Sequence, residues 1–492
     1  MSGITYSGIT DCSYPDCTET FIKQRVSDKY CASHRGHHTA ENIRSLKHEV
    51  TFIMVDGEGT GDGPDHKYVL LGCGDKQLEN PDGFTDITEI FGFLYEQFLA
   101  NPGATFAGYY LGYDFNMWLR CLPRDRAFYL LSTIGKAKRQ RICKCRNRAA
   151  CNHKRLAPHP VEYQGWQFDI LGFKRFRLRP KSCECREATC KCKSQACWMY
   201  INDAGPFFQA SLLSIIDPEQ WSEPIVTPEE YALILAGKGS RGTAVLDDDM
   251  RMYNRLENEV GARLMNSLNQ GFTSAGIRLN KKQWFGPGQA AQCWMRLSGQ
   301  LELSTKCVRK LPKKLRDNLI ASYYGGWFEI PVHGICPGIT YEYDLNSAYP
   351  TIASRMPCLC GTWTSGRGTP SGRLSHDWLA TGKPSKLRLC HVSVTGKSPY
   401  LGPLPYRGTD GSVYRPLHTK GWYWQHEIDS ARKAGLISDV TYLDWHEYQP
   451  CNHRPPLRGL TGLYEGRQRV GKNTSQGKAY KLVYNLALST AS

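Results

Sequence analysis

Tyr343-Asp344-Leu345-Asn346-Ser347-Ala348-Tyr349-Pro350, read YDLNSAYP, begins at the end of the apolar strand pattern ITYEYD (339–344), about two thirds of the way along the chain. A carboxylate at the end of a strand, followed by a turn and a helix start, is held rigidly enough to bind a divalent metal. Asn346 and Ser347 suit the turn, and the Tyr349 ring offers a flat face to a sugar or base. An aspartate at this place also serves as a turn or helix cap, so the flanking sequence decides between the two readings.

The chain has 492 residues, enough for several cores, and a formal charge of +16. With 12 Trp, 27 Tyr and 17 Phe, that charge fits grooves that neutralise phosphates and stack bases. No apolar run approaches the roughly 20 residues of a membrane span, and MSGITYSGITDC lacks the basic and apolar regions of a secretory leader. The expected location is therefore cytoplasmic, with no membrane partner. Twenty cysteines without a secretory signal point to thiolate metal sites in a reducing compartment.

Cys12, Cys17, Cys31 and His34 have workable spacing for one structural Zn2+ in a small element over residues 1–45. A strand, VTFIMVDGEGT, then leads into Asp56-Gly57-Glu58. Two carboxylates separated by one residue point the same way along a strand and share a metal readily. YVLLGCG at 68–74 reads as a second strand and ITEIFGFLYEQFLA at 87–100 as a helix. Asp114 follows the aromatic strand TFAGYY, before a short helix. In MRMYNRLENEVGARLMNSL, Tyr253 and Glu257 lie four apart on one helical face, with Glu259 as the alternative acid.

Two strand-end acids and a later helical acid beside a tyrosine resemble the three exonuclease motifs of family B DNA polymerases. The resemblance implies a ribonuclease-H-like 3'-5' exonuclease domain over 50–275. Asp56, Glu58, Asp114 and Glu257 would hold Mg2+, and Tyr253 would orient the water. A Cys-rich insertion over about 140–197 holds Cys143, Cys145, Cys151, His153, Cys183, Cys185, Cys190, Cys192 and Cys197. It could hold one or two Zn2+ ions, and its basic runs, FKRFRLRPK among them, suit a nucleic-acid backbone. The following DAGPFFQASL resembles a stretch in viral and phage relatives, which makes Phe207, Phe208, Gln209 and Ser211 candidates near a single strand.

Tyr323-Tyr324-Gly325-Gly326 fits the YxGG signature of the same family, in a connector over 276–335. There Tyr323, Gly325 and Gly326 would contact DNA. YDLNSAYP resembles polymerase motif A, with Ala348 in place of the usual Leu, in a palm over 336–455. By that resemblance Asp344 holds both metals, the Leu345 carbonyl helps with the second, and Tyr349 lies under the deoxyribose. KLVYN resembles the start of motif B in truncated helical fingers over 456–492. Lys481 would contact the incoming triphosphate, Asn485 would support the base pair, and Arg467 with Lys478 would make further phosphate contacts.

The expected fold is thus multi-domain α/β, and the expected activity is that of a DNA-directed DNA polymerase of viral or phage type with a proofreading exonuclease. Its partners would be primer-template DNA and dNTPs. After Asn485 the pattern departs from motif B, with Leu486, Leu488 and Ser489 where the family has Ser, Tyr and Gly. No motif C follows. Asp410, Asp439 and Asp444 precede motif B and are read as lacking a flanking strand. A two-metal centre needs a second carboxylate, so a second polypeptide supplying motif C and thumb, or a truncation, is expected. A stand-alone 3'-5' exonuclease and a non-enzymatic, zinc-stabilised nucleic-acid-binding protein are the alternatives.

Overall fold

The computed structural model describes residues 9–11, 20–22, 50–139, 158–181, 198–239, 245–297, 311–325, 334, 338–339, 341, 348–372, 374, 386–397, 402–451, 455 and 457–491. The four N-terminal zinc candidates, the Cys-rich clusters, Gly326, Asp344 and Leu345 lie outside the described residues. The strands in chain order are β1 (Ile9–Asp11), β2 (Thr20–Ile22), β3 (Phe52–Thr60), β4 (Lys67–Cys73), β5 (Lys76–Glu79), β6 (Thr105–Gly108), β7 (Val161–Tyr163) and β8 (Trp166–Ile170). They continue with β9 (Arg175–Pro180), β10 (Met199–Asp203), β11 (Thr362–Arg367), β12 (Leu387–Gly396), β13 (Tyr406–Arg407), β14 (Val413–Tyr414), β15 (His418–Trp424) and β16 (Ile437–Gln449).

The chain divides into two compact units. One comprises His38–Trp294 with Gly466–Thr490; the other comprises Met1–His37, Met295–Glu465 and Ala491–Ser492. In the first, eight strands form one sheet in the order β5-β4-β3-β6-β10-β9-β8-β7. The β3–β6 and β6–β10 pairs are parallel, and the remaining pairs are antiparallel. Parallel neighbours need a crossover, and the helix Ile87–Ala100 supplies the one between β3 and β6 through Ile87, Ile90, Phe91 and Leu94, all fully buried. Each such side chain contributes about 1.5–3 kcal/mol by leaving water. Asp86 starts the helix by accepting the Thr88 amide at 2.9 Å.

The Cys-rich insertion differs in part from expectation, because residues 161–180 extend the main sheet as β7, β8 and β9. Along β9, Phe176 and Leu178 point into the core while Arg175, Arg177 and Arg179 alternate with them. These arginines, read from sequence as backbone contacts, lie over aromatic rings. Arg177 and Arg179 cover Trp198 at 4.6 and 4.4 Å, and Arg175 covers Tyr200 and Phe285 at 5.2 Å.

The helix Ser475–Ala491 joins the first unit. Ser222 donates its amide to the Asn473 carbonyl at 3.2 Å, Gln476 donates to the Ser274 carbonyl at 3.1 Å, and Lys478 lies 4.4 Å over the Trp221 ring. In the second unit, the order β11-β16-β12-β15 makes a wholly antiparallel sheet. The helix Gln425–Lys433 buries Ile428 and Ala431 in the core that includes Cys390, Val392 and Val394 of β12. The expectation that Asp439 and Asp444 lack a flanking strand is corrected, since both lie within the thirteen-residue β16. Two register shifts in its pairing with β12, at His391/Val392 and Thr395/Gly396, break the period of two by which a strand is read from sequence. Among the described residues no helix is long and apolar enough to cross a membrane.

Candidate active site

The helix Asp248–Ser274 carries a buried stripe through Met250, Asn254, Glu257, Asn258, Gly261, Leu264, Met265 and Leu268. That spacing is the helical repeat of a face packed on a sheet, and Glu257 occupies one of its positions. Asn254 donates its side-chain amide to the Asp56 carbonyl at 3.0 Å, tying this helix to β3. Asp56 and Glu58 project from one face of β3, two residues apart. They therefore meet Glu257, and carboxylate oxygens of the three lie within 4.8 Å of one another. Asp56 and Glu58 stand inside a strand that runs on to Thr60 rather than at its end.

Gly57, between them, is required by a close approach, because a Cβ there would collide with the Tyr68 hydroxyl. That hydroxyl donates to Asp114 Oδ1 at 2.8 Å and accepts from Trp118 Nε1 at 3.2 Å. Asp114 lies in the first turn of the helix Gly112–Arg120 and lines the same cleft. Burial, and then the nearby Asp56 charge, push its carboxyl well above the usual aspartate range. Three of the four expected ligands thus converge, and the fourth stands beside them bonded to Tyr68.

The cleft has a volume of about 320 Å³. Lys238, at the end of the helix Pro228–Gly239, closes one side with Nζ 2.7 Å from Glu257 Oε1. Tyr109, Tyr110 and Tyr113 line another side, and Tyr113 Oη and His66 Nε2 are 2.8 Å apart. Tyr110 adopts a left-handed backbone with φ of 54°, held where Asp203 Oδ1 accepts its amide at 2.9 Å. Asp203 also accepts the Gly205 amide at 3.0 Å, and burial raises its carboxyl to about 6.

The fit to a divalent cation rests on this donor set. All the converging donors are oxygens, which suits Mg2+ or Mn2+. Asn258, 2% exposed and lining the cleft, has neither side-chain polar atom hydrogen-bonded among the described residues. Such a buried amide is expensive unless a further polar group enters the cleft.

Several expected residues lie elsewhere. Tyr253 does not line the cleft; its ring packs beside Gly237 and the core that includes Leu212 and Ile234. Glu259 is on the surface near Arg263, at 3.9 Å. Phe207 is corrected from a strand contact to a core residue, 1% exposed and packed against Phe272 and Trp284. Phe208 stacks on Tyr109 with ring centroids 5.9 Å apart, Gln209 ends the short helix Gly205–Phe208 with φ of 54°, and Ser211 lines the cleft. Lys238, Asn258 and the tyrosine rim were missed. The repeated tyrosines of YYLGYD were the available signal for the rim.

In the first unit, Lys478 also lies near Lys481 and Arg467, and burial followed by those two charges lowers its ammonium. Asn485 is exposed. In the second unit, Tyr349 opens the helix Ala348–Arg355 and is 71% exposed. Tyr323 is exposed, Tyr324 stacks on Tyr423 at 5.5 Å, and Gly325 has φ of 85°. Asp444 lies 3.5 Å from His391 Nδ1.

No protein-family model matches the sequence. No match is found among curated proteins. Among solved structures, the chain is similar to Phi29 DNA polymerase complexed with primer-template DNA, at 11% identity and a TM-score of 0.50, over 90% of this chain and 68% of that one. The ternary complex of that polymerase with primer-template DNA and incoming nucleotides gives the same values. Its complex with single-stranded DNA also has 11% identity and a TM-score of 0.50, over 90% and 67% of the two chains. At this identity the likeness shows a DNA-polymerase-like fold.

Proposed function

We propose that the chain is a family B-type DNA polymerase whose first unit is a 3'-5' exonuclease acting on single-stranded DNA ends. The observation that carries the nuclease reading is the convergence of Asp56, Glu58 and Glu257 in one cleft with Asp114 beside them. The order β5-β4-β3-β6-β10, with β4 antiparallel and β6 and β10 parallel to β3, supports a ribonuclease-H-like core.

Asp56, Glu58 and Glu257 would hold a divalent cation, with Asp114 as the further acid. When bound, the ion would supply neutralisation of charge on the phosphodiester and a lowered pKa for the attacking water. Tyr109, Tyr110 and Tyr113 stack the terminal bases, as aromatic rims do for single strands. Lys238 balances part of the carboxylate charge and faces the phosphate. Hydrolysis forms a bond from water oxygen to phosphorus and breaks the bond from phosphorus to the 3' oxygen. It leaves a shortened 3'-hydroxyl end and a nucleoside 5'-monophosphate.

The polymerase reading rests on YxGG, YDLNSAYP and KLVYN together with the fold. The structural neighbours were captured with primer-template DNA and nucleotides. Asp344 and the Leu345 carbonyl would serve the metal ions, Tyr349 the deoxyribose, Lys481 with Arg467 and Lys478 the triphosphate, and Asn485 the base pair. A stand-alone exonuclease is the second reading, favoured by the convergence of Asp56, Glu58 and Glu257 in one cleft. A single labelled hairpin separates the two. Extension with dNTPs and Mg2+ that is lost in Asp344→Ala supports the polymerase, whereas degradation lost in Asp56→Ala without any extension supports the second reading.

A further inference from the structure

The second unit contains a cysteine cluster that the DNA chemistry does not use. Cys358 and Cys360 lie in the turn between the helix Ala348–Arg355 and β11, and Cys451 follows β16. Cys451 lies about ninety residues beyond the other two in sequence, yet the three Sγ atoms lie within 4.8 Å of one another. Cys358 is 1% exposed, and the other two are half-buried. A tetrahedral zinc with bonds of about 2.3 Å holds its sulfurs about 3.8 Å apart, so a small contraction would bring all three onto one ion. A disulfide would join two sulfurs at about 2.05 Å and leave the third without a role.

The backbone around the cluster is held in place by one side chain. Tyr448, fully buried near the end of β16, donates its hydroxyl to the Cys358 carbonyl. The same hydroxyl accepts the Cys451 amide at 3.2 Å and the Gly361 amide at 3.3 Å. Both cysteine-bearing segments are therefore anchored to one atom, the outer support that orients ligands in thiolate metal sites. The ladder that this cluster closes also needs stabilising. β11 is an edge strand with no buried residue, and it pairs with β16 from Thr362 opposite Gln449 to Arg367 opposite Asp444. An edge strand with little apolar burial contributes little stability of its own.

The geometry points to a structural zinc site formed by the Cys358, Cys360 and Cys451 thiolates, which pins the turn after the helix Ala348–Arg355 to the end of β16. Three soft thiolates select Zn2+ over the hard ions suited to the carboxylate cleft. The fourth coordination position is left to a nitrogen or oxygen donor. The site is independent of the nuclease reading.

The test uses the full chain, purified with zinc and freed of excess metal. Elemental analysis of the wild type and of Cys360→Ser, at one of the two half-buried positions, reads zinc per chain. The variant is expected to hold one equivalent less, whatever other cysteines retain. Should that variant fail to fold, alkylation of the wild-type protein decides. Labelling of Cys358, Cys360 and Cys451 is expected to be at least tenfold slower with Zn2+ than after chelation, while labelling of Cys73 and Cys293, buried elsewhere, does not respond. Equal zinc content in a folded variant, labelling at the three cysteines indifferent to Zn2+, or a disulfide among them in the untreated protein would overturn the assignment.

Discussion

Lys238 Nζ lies 2.7 Å from Glu257 Oε1, so the carboxylate facing Asp56 and Glu58 is already in contact with a cation. A metal entering the cleft competes with that ammonium for Glu257. Lys238→Met removes the competitor, and Mn2+ binding followed by calorimetry should tighten about three- to tenfold, the equivalent of about 1 kcal/mol. Unchanged or weaker binding would mean that lysine and metal do not compete.

Carboxylates within 4.8 Å repel one another when no ion is bound. Glu58→Gln should therefore raise the melting temperature in chelator by about 2–4 °C, for roughly 1 kcal/mol of relieved repulsion. The same variant should gain less than the wild type when Mg2+ is added, because metal binding stabilises only the form that binds it. A scan with and without Mg2+ reads both effects.

Asp203 has a different pH signature. Burial raises its carboxyl to about 6 in the folded chain, against about 3.9 when unfolded. Between those values the folded state binds more protons than the unfolded state, so the contribution of Asp203 to stability declines as pH rises from about 4 to about 6 and is flat above that range. Asp203→Asn keeps an oxygen acceptor for the Tyr110 and Gly205 amides without the buried charge. The melting temperature of the variant relative to the wild type should rise across that window and then level off. A difference independent of pH would exclude the ionisation of Asp203 as its cause.

The close packing of two helices gives a fourth prediction. A Cβ on Gly271 would collide with the Ser475 carbonyl, so Gly271→Ala should displace the start of the helix Ser475–Ala491. A loss of about 1–3 kcal/mol is expected from overpacking. Hydrogen exchange over 475–485 should accelerate, while exchange over 87–100 should not change.

What was legible in the sequence follows the local or long-range origin of each feature. The helix Ile87–Ala100 and strand β3 carry their patterns in consecutive residues, and Glu257 falls on a helical stripe that can be read without a structure. β5, with the sequence KQLE, has no apolar alternation; it forms because β4 offers it an edge. Lys238 ends a helix with no periodic signal, and only folding brings it to Glu257. Tyr253 shares a helical side with Glu257, but a repeat of 3.6 residues does not say which of two neighbours reaches the cleft. Cys358 and Cys360 are near neighbours in sequence, but only the pairing of β11 with β16 brings Cys451 to them.

The central claim is that Asp56, Glu58 and Glu257 hold the ion that hydrolyses DNA from its 3' end. It is tested most directly by the release of nucleotide from a 3'-labelled single-stranded oligonucleotide, with the wild type and Asp56→Ala compared in Mg2+. The account predicts stepwise release of nucleoside monophosphate that stops in chelator and is slower by about a hundredfold or more in the folded variant. Equal release by the two proteins, or shortening of the oligonucleotide from its 5' end with the 3' label retained, would contradict it.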